Sequence, residues 1–305
     1  MSIALQVALV MVTILVVLLV IGAPIGVAIG MSSAVSMICM IPADVSFATS
    51  AQRIFAGSNS FSLIAIPFFI LAGNIMNNGG IATRLVNCAK VISGRMPGAL
   101  AQSNVVANML FGAISGSGAA AAAAMGGTIG PLEEKEGYDK NYSTAVNVAS
   151  APVGMLIPPS NTMIVYSSVA GSVSIAALFM AGYIPGLLWG GAVMILAGIM
   201  AKKRGYQAEQ RVPVKVALKT FWQAIPSLLL IVIVIGGILG GIFTATEGSA
   251  IAVVYATVLS LIYKAFKIKD IPRIVLEAAK TTGIITFMIG LSSIMSWAMA
   301  FTGIP

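Results

Sequence analysis

Between Arg95 and Glu133 the chain carries no ionisable side chain, and inside that run residues 111–127 read FGAISGSGAAAAAAMGG. Long charge-free tracts of this kind recur through the sequence, and they leave few folds open. Only 9% of the 305 residues are charged and 58% are hydrophobic, whereas a soluble domain carries roughly 25% charged residues. A chain so composed lacks the polar surface to live in water. At about 20 residues per bilayer crossing, its length allows roughly eight crossings plus partial ones. The expected fold class is an all-α polytopic membrane protein.

Several function classes fall away at once. With no histidine, HExxH zinc hydrolases and most catalytic triads are excluded. The formal charge of +8 comes from 17 Lys and Arg against 9 Asp and Glu. These basic residues are dispersed over short loops, which points to positive-inside placement and not to nucleic acid. Cys39 and Cys88 sit far apart, in or beside apolar segments, and read as small packing residues. The opening run Ile3 to Val20 lacks a basic start. Gly22-Ala23-Pro24 then leads straight into another apolar run, so it reads as a span, not a signal peptide.

The expected order begins with scaffold spans over 1–80: Ile3 to Ile21, Pro24 to Met40, a polar-leaning loop from Pro42 to Ser60, and Phe61 to Asn77. Gly22, Gly26 and Gly30, spaced by four, allow another helix to approach closely. Residues 81–95, with Arg84 and Lys90 among apolar positions, read as an interfacial amphipathic helix. The tract 96–131 follows, then an interrupted apolar stretch over 141–170 and a span over 173–200. A basic linker over 201–220 carries Lys202, Lys203, Arg204, Arg211, Lys215 and Lys219 and separates two halves. Residues 221–305 open the second half, with spans at Phe221 to Phe243, Glu247 to Tyr263 and Thr282 to Phe301.

Orientation follows from charge. The linker and the group Lys264, Lys267 and Lys269 both belong on the cytoplasmic side, and counting back puts the N-terminus in the periplasm. Arg95 and the loop LEEKEGYDKN then lie on one side. The 36 residues between them cannot simply cross, so they suit an intramembrane hairpin with Ser115-Gly116-Ser117 at its tip. A tip within the membrane leaves backbone groups that lipid cannot satisfy. Standing alone, the tract also has a weaker reading as a six-alanine helix-packing face with serines bonding back one turn. It does not stand alone, because Pro158 and Pro159 in IPPSN break a second apolar segment near mid-depth. Broken spans expose carbonyls and helix termini that can hold ions.

These tracts resemble the large membrane subunit of tripartite ATP-independent periplasmic (TRAP) transporters, the DctM-like family. The matching pieces are IPFFILAGNIM (66–76), ANMLFGAISGSGAAAAAAMG (107–126), GMLIPPS (154–160) and GGIFTATEGSAIAVVYA (240–256). The resemblance implies an inverted-repeat elevator with an intramembrane hairpin and a discontinuous helix in each repeat, multi-pass in the bacterial inner membrane. It implies co-transported sodium ions and a small organic acid such as a C4-dicarboxylate or sialic acid. It also implies a periplasmic substrate-binding protein and a small four-helix membrane subunit as partners, besides lipid. Carried onto this chain, sodium would be held by Ser115, Gly116, Ser117, Pro158 and Asn161, and substrate by Ser117, Ser160 and Asn161.

Family members often have aspartate at the position of Ala121, proline at that of Ala245, and an aliphatic residue at that of Asn161. They also continue past Pro305 with the rest of a second repeat, so the chain reads as roughly three quarters of such a protein. Two other classes are weaker. A channel would favour rotational repetition of a filter-like loop. An intramembrane enzyme would need a protected acid, base or metal cluster, and Glu247 reads instead as a helix cap after Thr246.

Overall fold

A computed structural model describes residues 3–171, 173–206, 208 and 213–304. Among them every regular element is helical. The first helices are α1 (Ile3–Val20), α2 (Ile25–Met37) and α3 (Ala43–Ser58), followed by α4 (Ala65–Asn78), α5 (Ile81–Ser93), α6 (Ala99–Ser115) and α7 (Gly118–Thr128). Then come α8 (Gly130–Lys135), α9 (Lys140–Ser150), α10 (Val153–Leu156), α11 (Asn161–Ala170) and α12 (Ile175–Arg204). The chain ends with α13 (Val214–Leu239), α14 (Ala245–Ile262) and α15 (Ile271–Thr302). Among the described residues six helical segments are long and apolar enough to cross a membrane, counting α4 with the turn that leads into it from Phe61, or seven if the pair bent between Leu156 and Asn161 counts as one span. This is fewer than length alone suggested. The 13-residue α2 rises only about 20 Å, short of the roughly 30 Å hydrocarbon core.

Two compact units divide the chain, one made of residues up to Leu63 with those from Lys280 onward, the other of Ile64–Ala279. In the first, α1 packs along α2, and Gly26 and Gly30 face Leu291 of α15. Gly22 does not join that stripe; it turns the chain at φ +88°. Met37, Leu291, Ile294 and Ala298 form a buried cluster here. Residues 43–58, expected as a loop, are the helix α3. Asp44 lies in its first turn, where an acid favours the helix dipole, and its Ser46 hydroxyl donates to the Ala34 carbonyl at 2.9 Å.

In the second unit α4 packs along α14, α5 along α6 and α13, and α13 on α14. The amphipathic pattern of α5 explains its place: Ile81, Ala82, Leu85, Val86 and Ala89 are buried on one side. Its Arg84 guanidinium covers the Tyr263 ring at 3.4 Å. The basic linker is mostly helix. Lys202, Lys203 and Arg204 form the last turn of α12, where cations suit the dipole, and Lys215 and Lys219 begin α13. Arg211 lies outside the described residues. Glu247 does cap α14, but through Thr244 and not Thr246: the Thr244 hydroxyl accepts from the Glu247 N–H while the carboxylate accepts from the Thr244 N–H at 2.7 Å.

Candidate functional site

Helix α6 stops because Gly116 turns left-handed at φ +63°, its N–H still donating to the Gly112 carbonyl at 2.9 Å. Glycine alone takes that conformation without a steric cost. Helix α7 starts at once, because the next residue, Ser117, is extended and its hydroxyl accepts from the Ala120 N–H at 3.3 Å. A two-residue connection, Gly116-Ser117, therefore separates the two helices. Ser115 lies under it, 1% exposed, with Gly73 of α4 packed against its Cβ.

Residues 140–170 break between Leu156 and Asn161, with a bend of 47°. The break holds the buried Pro158 and Pro159, whose missing N–H groups stop the helical ladder. Ser160 restarts it as the cap of α11. Its hydroxyl accepts from the Met163 N–H at 3.4 Å and donates to the Met155 carbonyl at 2.5 Å, tying both sides of the break together.

Turn and break meet. The Asn161 N–H donates to the Gly116 carbonyl at 3.2 Å. A Cβ on Gly116 would lie 2.9 Å from the Pro159 carbonyl oxygen and 3.1 Å from the Asn161 nitrogen. The glycine thus serves both the turn and the close approach. Two more glycines extend the contact: Gly112 and Gly154 put the backbones of α6 and α10 directly against each other, and a Cβ on Gly118 would reach the Ala151 carbonyl oxygen at 2.9 Å. Ala121 is also fully buried on this side, within van der Waals distance of a Cβ placed on Gly154.

Of the residues singled out, Gly116 and Asn161 touch directly, and Pro158 lies in the buried break. Asn161 is 8% exposed and its Oδ1 has no hydrogen-bond partner. Ser115 and Ser117 sit on the turn, but the Ser117 hydroxyl is engaged as a cap and the Ser160 hydroxyl is doubly engaged within the break. What can be offered to a small cation is a set of neutral oxygens, with the orphaned Asn161 Oδ1 foremost.

The sequence reading missed the polar seam that holds these elements in place. The Asn108 amide nitrogen of α6, with two hydrogens to donate, lies within hydrogen-bond distance of Asn104 Oδ1 (2.9 Å), Asn147 Oδ1 (3.1 Å) and Ser150 Oγ (2.7 Å), and Asn147 donates to the Ala122 carbonyl of α7 at 2.9 Å. Asparagines four apart on an apolar helix were the available signal, since buried amides need partners. Further along, Tyr138 stacks on Tyr206 at 4.3 Å, Tyr142 donates to the Ala197 carbonyl, and Asp139 pairs with Arg204 at 3.1 Å. That cluster fastens the start of α9 to the end of α12.

A family model described as "Tripartite ATP-independent periplasmic transporter, DctM component" matches residues 12–305. The chain belongs to this DctM family. It is 50% identical over 274 residues to YgiK of Salmonella typhimurium, covering 90% of this chain and 63% of that protein. It is 37% identical to the C4-dicarboxylate TRAP transporter large permease protein DctM of Rhodobacter capsulatus, over 84% of this chain and 62% of the relative. It is 36% identical to the sialic acid TRAP transporter large permease protein SiaM of Vibrio cholerae, over 84% and 60% respectively. The chain thus spans less than two thirds of the length of these relatives.

Proposed function

We propose that the chain forms part of the membrane carrier of a TRAP-type secondary transporter, taking up a small organic acid with sodium by an elevator movement. The observation that carries the reading is the meeting of Gly116 with Asn161, next to a buried carbonyl oxygen of Asn161 that has no partner. Residues 96–131 act as the intramembrane hairpin and 141–170 as the discontinuous helix. Ser115, Gly116, Ser117, Pro158 and Asn161 supply the sodium site. Ser117 and Asn161, with backbone amides at the start of α11, face the substrate carboxylate, while Ser160 holds the break that positions them.

The neutral oxygen set favours sodium over proton coupling at this place, since neither turn nor break has a carboxylate or imidazole to protonate. Each uncompensated charge that crosses contributes about 2.3 kcal/mol per 100 mV, so several sodium ions carried with one anion can concentrate it. Relatives are named for C4-dicarboxylates, isethionate, sialic acid and 2,3-diketo-L-gulonate. A small organic anion is the shared chemistry. A periplasmic binding protein delivers it, a small four-helix subunit braces the carrier, and the chain sits in the inner membrane with its N-terminus periplasmic. The test is uptake by the full-length complex in liposomes. Uptake should require a sodium gradient, and equal uptake driven by a proton gradient without sodium would overturn the coupling.

A further inference from the structure

Well away from the turn, a cavity of about 350 Å³ lies between α6, α8 and α9. Its rim carries the exposed Glu134 and Lys140, while Asn104, Glu133, Tyr138 and Ser143 line its interior. Asn104 stands eleven residues before Ser115, roughly 16 Å along α6. Glu133 is only 1% exposed, Asn104 is 0% exposed and Ser143 is 9% exposed. Glu133 Oε1, Asn104 Nδ2 and Ser143 Oγ make no hydrogen bond of good geometry, although Asn104 and Ser143 lie close enough to Glu133 to stabilise its charge.

A buried carboxylate needs a counter-charge or neutralisation. Among the described residues Glu133 makes no ion pair, and the Lys140 ammonium stays at the rim. The orientation of Asn104 decides between a cation and a proton as the ligand. Its Oδ1 accepts from Asn108, which leaves its Nδ2 donor free. An amide N–H turned toward the carboxyl repels a metal cation, whereas it can donate to a carboxyl oxygen in either protonation state. The Ser143 hydroxyl, like the Asn104 amide, favours the ionised carboxylate, so burial is what holds the proton on Glu133.

We propose that Glu133, Asn104 and Ser143 form a proton-binding site, loaded through this cavity and separate from the sodium site. The transfer is a simple one: a hydronium ion in the cavity gives its proton to a Glu133 carboxylate oxygen and leaves as water. Burial holds the Glu133 carboxyl up at about 7, with Ser143 and Asn104 pulling the other way. The other groups facing it are Glu134, Tyr138, Lys140 and Tyr142; α6 and α7 contribute no ionisable side chain.

Infrared difference spectroscopy of the full-length transporter, titrated in pH, tests the assignment. A protonated carboxyl band should disappear with a midpoint near 7 and be absent in Glu133→Gln. An ordinary carboxylate titrates near 4.3, and a Glu133-dependent band with that midpoint would overturn the proposal. So would the same near-neutral band persisting in Glu133→Gln. Ser143→Ala gives a second reading that does not rely on the glutamine variant folding. Losing a group that favours the ionised form should raise the midpoint, and an unmoved midpoint would overturn the role of this cavity.

Discussion

Asn161 and Ser117 look like equivalent oxygen donors in sequence, and their surroundings make them different probes. Ser117 caps α7, so Ser117→Ala removes a hydroxyl and a helix cap together, at a cost of about 1 kcal/mol. Lower yield from that variant says little about sodium. The Asn161 Oδ1 has no protein partner, so Asn161→Ala removes little that stabilises the fold. We expect Asn161→Ala to express normally while half-saturating sodium rises several-fold in liposome uptake. Unchanged sodium dependence would remove Asn161 from the site. Glu133 carries a separate expectation at the same scale. Its folded pKa, about 7, exceeds the unfolded value near 4.3, so the folded state binds the extra proton between those values. Stability must therefore fall as pH rises through that window and stay lower above it. At pH 8 Glu133→Gln should melt higher than the parent, being more stable by up to about 4 kcal/mol at roughly 1.4 kcal/mol per unit. Below pH 4.5 the two should melt alike, which thermal unfolding of the full-length protein in detergent would show.

At the scale of elements, one of the tightest contacts in the second unit is between backbones. Gly112 on α6 and Gly154 on α10 touch through their Cα atoms, so no side-chain movement can make room for a methyl group. Gly112→Ala should cost at least the 1–3 kcal/mol or so typical of overpacking, visible as a lower melting temperature and weaker transport. Gly127 on α7 has nothing within 4 Å of an added Cβ. Gly127→Ala should hold or gain stability, about 0.5–1 kcal/mol in a helix interior. Equal effects of the two substitutions would mean that α6 and α10 do not pack this closely in the membrane.

For the whole molecule, the charge pattern requires Arg95 and Lys135, both exposed, to lie on one side of the membrane. Single cysteines at these two positions, in a background without Cys39 and Cys88, should react with an impermeant thiol reagent from the same face only. Reaction from opposite faces would turn residues 96–131 into a crossing and remove the re-entrant hairpin. The two compact units could not be anticipated from order along the chain, because α15 contributes residues to both.

Helix content, most span positions (not that of Pro24 to Met40, nor the start of the last helix), the turn at Ser115-Gly116-Ser117 and the break at Pro158-Pro159 were legible in the residues. Each depends on local chemistry: apolar runs long enough to bury backbone, a glycine free to turn left, prolines without an N–H. The family could be read from the same short stretches. The helix over 43–58 was hidden because its composition is polar for a membrane chain, and charge along 202–219 disguised helix ends as linker. Only the tertiary structure decided that Gly116 meets Asn161, that Ser160 is spent on the break, and that Glu133 is buried while Glu134 beside it is exposed. Such facts depend on which faces of separate helices come together. Local sequence does not encode that pairing, because it is set by packing and by the need to satisfy buried polar groups across elements far apart in the chain.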